Sequence, residues 1–131
     1  MPVQKHSQSI QRGQIWNVQF NPQVGSELGS LHPAVVMNIS HVGRLPLYIV
    51  VPITTGNITF HGMRWMMPIT ADSTNNLDHD CFADAFQVKS IAVQRFTLYR
   101  GVLGQKEMDE LATIIAYCVG YTPPKPSPSS P

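Results

Sequence analysis

A mainly β fold, a small barrel with one C-terminal helix, is what this sequence predicts, and three observations predict it. Apolar residues alternate or cluster in short runs rich in β-branched side chains, the pattern of half-buried or buried strands. Turn-rich gaps separate the runs. Late in the chain the apolar period changes from two to that of a helix.

Each element can be argued in order. Trp16, Val18 and Phe20 alternate with polar residues and form the first strand. AVVMNI, residues 34–39, and LYIVVPIT, residues 47–54, are the second and third. RWMMPI, residues 64–69, and CFADAFQV, residues 81–88, follow, giving five or so short strands. Pro52 and Pro68 sit late in two of these runs, and proline cannot donate to a ladder, so they belong at an edge, a bulge or a strand end. In QKEMDELATIIAYCVGY, residues 105–121, Met108, Leu111, Ala112, Ile115, Cys118 and Val119 fall on one helical face. Acidic residues near its start and Gly120 just past its end are the matching stop and start signals.

Length and composition bound the rest. The 131 residues, 43% hydrophobic, suffice for one core and one domain. MPVQKHSQSIQ, residues 1–11, is polar and aperiodic, and residues 122–131 are rich in proline and serine; both read as flexible tails around a domain of residues 12–121, with ends good to about 2 to 4 residues. Nine basic and eight acidic side chains leave a charge of +1, so affinity for a polyanion must come from a local arrangement. Cys81 and Cys118 lack CxxC spacing and no secretory leader is legible, which points to a reducing cytoplasm. The longest strongly apolar stretch, residues 47–53, falls far short of the roughly 18 to 20 residues that span a membrane as a helix.

One loop is conspicuously polar. GSELGSLHP, residues 25–33, sets two glycines, two serines, a glutamate and a histidine against a proline between two apolar strands. On its own such a loop is turn chemistry, because serine and glutamate side chains bond readily to nearby backbone. In order with its neighbours it is more specific. RGQIWNVQFNPQVGSELGSLHPAVVMN, then VVPIT at residues 50–54, then FQVKSI at residues 86–91, then the final helix, resemble the MazF/PemK family of toxin endoribonucleases over about 110 residues.

The resemblance implies an SH3-like barrel of the MazF/Kid/CcdB type, a homodimer, metal-free cleavage of single-stranded RNA with no cofactor, and inhibition by a cognate antitoxin. It also places the functional residues. The family's loop arginine before proline falls on His32, and its strand-end threonine or serine falls on Thr54. His32 departs from the pattern, and Arg44, in the turn before the third strand, is a candidate to replace the missing guanidinium from another backbone position.

Metal-free cleavage needs a base for the 2'-OH, an acid for the departing 5'-oxygen and donors for the charge that builds on phosphorus. An imidazole, with an ordinary pKa of about 6.5, can serve as base or acid; arginine cannot, being always protonated. What histidine loses is the bidentate fork for phosphate. A threonine hydroxyl supplies one hydrogen bond and no charge. RNA-binding candidates are Ser26 and Glu27 in the loop, Arg44, the cluster His61, Arg64 and Trp65, and Gln87. Residues 78–81, DHDC, contain metal-ligand types, but no second cluster completes a shell, so a solvated loop is the expectation. Two readings remain open: a sequence-selective endoribonuclease toxin, or a catalytically silent module on the same fold that binds RNA or protein.

Overall fold

The computed structural model describes residues 9–40, 42–56, 58–122 and 124. The expectations for residues 1–8 and 125–131 lie outside the described residues. Among the described residues seven strands and one α-helix follow in chain order: β1 Gln14–Gln19, β2 Leu31–Val36, β3 Leu47–Thr54, β4 Met66–Ile69, β5 Cys81–Asp84, β6 Lys89–Ala92, β7 Phe96–Val102 and α1 Gln105–Cys118. All pairings are antiparallel, in the order β4-β5-β3-β2-β1-β7, with β6 also on β3. The fold is therefore mainly β with one C-terminal helix. Two of the seven strands exceed the expectation: β6 has only the four residues KSIA, and in β7 the apolar Phe96, Leu98, Tyr99 and Val102 lose their alternation at a bulge.

Both faces of the central strands are buried, and the alternation of period two sorts their side chains into two cores. Trp16, Val18, Ala34, Val36, Val50 and Phe96 fill one, which is the barrel interior. There Trp16 meets Phe96 and Tyr99 edge-on at 5.8 and 5.7 Å, and Tyr48 of β3 meets Phe96 of β7 at 5.5 Å. Among the described residues no ladder joins β4 to β7, the two ends of the sheet path, so it is this aromatic packing that draws β3, β1 and β7 around one interior. Ile15, Val35, Val51 and Ile53 turn to the opposite face, where Met108 and Leu111 of α1 cover them. Ile10 joins the barrel interior, so packing begins two residues before the expected boundary at Arg12.

The prolines fall where the missing donor costs least. Pro52 lies on β3 between the half that pairs with β6, residues 47–50, and the half that pairs with β5, residues 53–54. Pro68 lies on β4, at the edge of the sheet. Helix α1 starts with the Glu107 carboxylate accepting from the Gly104 N–H at 3.4 Å. It ends as Gly120, at φ +83°, lets Tyr121 N–H reach the Ala116 carbonyl at 2.8 Å and its own N–H reach Tyr117 at 3.0 Å. Val119, expected on the buried stripe, is instead 74% exposed just beyond the last helical turn.

Candidate active site

His32 sits on a strand, not in the loop. β2 begins at Leu31, and His32 pairs with Val18 of β1. The sequence hid this because the proline at residue 33 and the polar run before it look like a turn; Pro33 is accommodated at the start of the strand. The pairing Ala34↔Pro52, Val35↔Val51, Val36↔Val50 fixes the register of β2 on β3. Continued by two residues, that register sets His32 opposite Thr54, on the same face as Ala34 and Val50. The recorded ladder ends at Ala34↔Pro52, two residues short of both side chains, so their juxtaposition is an extension of the register.

Their surroundings leave both groups usable. Both are half-buried. The His32 ring meets Phe20 edge-on at 6.5 Å, and its Nε2 lies 3.5 Å from Ser30 Oγ. Among the described residues Thr54 Oγ1 makes only a 3.5 Å bond to the carbonyl of Thr55, which a phosphate oxygen can displace. Thr54 pairs in turn with Phe82, and His61 packs edge-on against that ring at 5.0 Å. A Cβ on Gly56 would lie 1.9 Å from the Phe82 ring, so only glycine lets the chain leaving β3 pass over it.

The polar loop is a built structure. Ser30 N–H donates to Asn21 Oδ1 at 2.8 Å, and Arg95 donates to the carbonyls of Gln19 and Asn21. Glu27 Oε1 accepts from the Val24 N–H at 3.3 Å, while Ser26 is exposed. Gln87 spends its amide internally: Oε1 accepts from the Leu28 N–H at 2.6 Å, and Nε2 donates to Asp84 at 3.1 Å. It ties the loop to the turn after β5.

Other candidates lie elsewhere. Arg44 follows the far end of β2, about 13 Å of strand from His32, and lines a separate cavity of about 550 Å³ with Arg12, Asn38 and Tyr48. It is not among the residues that line the cavity beside His32. Arg64 lies over the Tyr117 ring at 4.3 Å, and Trp65 lines an apolar groove of about 480 Å³ with Phe86, Tyr117 and Cys118. Of the HGMRW cluster only His61 is brought near Thr54.

The sequence missed a second polar wall. A cavity of about 200 Å³ opens on the other face of the same strand ends, with His32 and Pro33 of β2 on its rim and Asn17, Thr55, His79 and Arg100 around it. Thr55 Oγ1 and His79 Nε2 are 3.1 Å apart. Cys81, also on this wall, donates its thiol to the His79 carbonyl at 2.9 Å; burial foremost, then the charges of Asp80 and Asp78, raises its pKa, so it is no thiolate nucleophile. Among the described residues no three His, Cys, Asp or Glu side chains are grouped to hold a metal.

The model of the PemK-like, MazF-like toxin family of type II toxin-antitoxin systems matches residues 11–119. This chain belongs to that family. Among its relatives, the endoribonuclease MazF9 of Mycobacterium tuberculosis is 31% identical over 109 residues, which cover 78% of this chain and 89% of the relative. MazF of Deinococcus radiodurans superposes with a TM-score of 0.71 at 19% identity, over 85% of this chain and 96% of that one. A mycobacterial endoribonuclease solved with its cognate antitoxin superposes at 0.66 and 16% identity, over 88% of this chain and 100% of that one. The two structures carry the fold. Among the described residues no helix is long and apolar enough to cross a membrane.

One titrating group of this PemK/MazF-like chain bears on the loop anchor. Burial pushes the Asp84 carboxyl above its ordinary 3.8, against the hydrogen bonds from Gln87 and the Phe86 N–H that favour ionisation. The native state therefore holds this proton longer than the unfolded chain does. Between 3.8 and the raised native value, stability attributable to Asp84 falls as pH rises. Thermal melts of wild type and Asp84→Asn across the acid range check this: their difference should change in that direction, and a flat difference contradicts it.

Proposed function

We propose that this chain is an endoribonuclease that cuts single-stranded RNA in the cytoplasm without a metal or cofactor. The observation that supports the reading is the β2–β3 register, which, extended two residues past Ala34↔Pro52, brings the half-buried His32 and Thr54 across from one another. His32 takes the proton of the 2'-OH as its oxygen attacks phosphorus. The bond from phosphorus to the 5'-oxygen then breaks, and His32 returns the proton to that oxygen. The Thr54 hydroxyl donates to a non-bridging oxygen as charge builds there. The products are a 2',3'-cyclic phosphate and a 5'-hydroxyl.

Ser26 and Glu27 at the exposed loop and His61 beside Phe82 place the flanking nucleotides, while Gln87 positions the loop from behind. Trp65 and Arg64 belong to the apolar groove by α1, where Phe86 is 71% exposed; we assign this side to protein rather than RNA. A homodimer and a cognate antitoxin are the partners the family membership supports, and light scattering at micromolar concentration should give twice the monomer mass. The second reading, RNA binding without cleavage, rests on His32 standing where the family pattern has arginine. Incubation with a long unstructured RNA in EDTA separates the two: discrete cuts with 5'-hydroxyl and cyclic-phosphate ends support the enzyme, and bound but intact RNA supports the silent module.

A further inference from the structure

The guanidinium absent from the family position is present nearby on another element. The ladder between β1 and β7 pairs Ile15 with Gly101 and Trp16 with Tyr99, leaving Arg100 as the extra residue of a β-bulge. A bulge re-aims the side chain it carries. Here Tyr99, though exposed, keeps its ring edge-on to Trp16, and Arg100 turns to the other face, where Nη1 donates to Asn17 Oδ1 at 3.1 Å.

The loop of residues 72–80 is locked onto the same spot. Arg100 Nη2 donates to the Asn76 carbonyl at 2.7 Å, and Asn76 Nδ2 donates back to the Arg100 carbonyl at 2.7 Å. Buried Asn75 holds the loop from within, bonding the Asp72 and Leu77 N–H groups and the Thr70 carbonyl. Gly101 permits this docking, since a Cβ there would lie 2.4 Å from the Thr74 carbonyl. Gly101→Ala should therefore cost about 1 to 3 kcal/mol by forcing the loop away. Urea denaturation measures it, and an unchanged midpoint contradicts it. So anchored, the loop delivers His79 to Thr55, one residue beyond Thr54.

We propose that Arg100, His79, Thr55 and Asn17 form a phosphate subsite for the nucleotide next to the one that is cut, a proposal that rests on the RNA-cleaving reading above. Adjacent positions on β3 and its exit, Thr54 and Thr55, face opposite sides, so an RNA strand folded over the strand ends meets His32 and Thr54 with one phosphate and this cavity with the next. Two hydrogen bonds occupy the Arg100 guanidinium, which has five N–H donors, so donors remain for a phosphate oxygen. The charged side chains that face the subsite are Arg100 and the Asp78 carboxylate, 3.6 Å apart, with the imidazoles of His79 and His32 beside them. Asp78 is 84% exposed against 18% for Arg100, so it can turn to solvent when the phosphate arrives.

The test is affinity of His32→Ala protein, in which cleavage should be slowed about 10² to 10⁴-fold, for a short single-stranded RNA, measured by fluorescence anisotropy from 50 to 300 mM salt over times too short for cutting. Arg100→Gln should weaken binding about tenfold at low salt and reduce the slope of log affinity on log salt by about 0.7, the share of one phosphate on a single strand. Thr55→Val, which preserves shape, should weaken it about threefold. Asp78→Asn should strengthen binding, a gain that a damaged fold cannot mimic. RNA bound with unchanged affinity and slope by Arg100→Gln, or weakened by Asp78→Asn, overturns the subsite while leaving the RNA reading intact. No binding by the protein with native Arg100, together with no cleavage by the wild type, overturns both.

Discussion

Replacing His32 by alanine lowers cleavage of single-stranded RNA about 10² to 10⁴-fold, the range for removing a positioned proton-transfer group. The fold should survive the change. His32 is half-buried near the start of β2, and among the described residues its one side-chain hydrogen bond is a 3.5 Å contact with Ser30. The loss therefore belongs in the rate and not in the melting temperature. His32→Arg is the informative converse: it restores charge and a planar fork but removes a group that can give and take a proton near neutrality. It should lower the rate here, because Arg100 already supplies a guanidinium to these strand ends. Rate constants on one defined RNA for the three proteins check this, and a faster His32→Arg enzyme contradicts it.

The largest loss of stability comes from Trp16→Ala, about 3 to 5 kcal/mol, as expected for truncating a buried aromatic residue without collapse of the site. Trp16 is only 1% exposed, packs on Phe96 and Tyr99, and donates its indole N–H to Gln14 Oε1 at 2.9 Å. A domain of this size has about 5 to 15 kcal/mol in all. Urea unfolding should show the loss in the midpoint; a shift worth less than 1 kcal/mol contradicts the account of the core.

How legible the molecule was in its sequence depends on which physical signal each part carries. β1, β3 and α1 were legible because their apolar periods are long and unbroken. β6 and β7 were not, since KSIA is too short to show a period and a bulge breaks the alternation of FTLYRGV. His32 and Thr54 were legible through resemblance alone; as residue types they are ordinary, and only the β2–β3 register brings them together. Arg44 was the natural candidate for the missing guanidinium by sequence distance, yet a strand separates it from His32. Arg100 lies 68 positions from His32 in the chain, beyond any spacing argument, and the one local hint was the glycine that follows it. The DHDC segment read as a solvated loop because its order comes from Asn75, Asn76 and Gly101, contacts that do not show in composition.

The account stands on His32 and Thr54 acting together. The direct measurement is kcat/KM on one unstructured RNA in EDTA for wild type, His32→Ala, Thr54→Ala and the double variant. The prediction is metal-independent cleavage by the wild type, a loss in each single variant, and a double variant that loses less than the product of the two, as residues working on one transition state do. Wild-type rates in both single variants, or cleavage that EDTA abolishes, would contradict it.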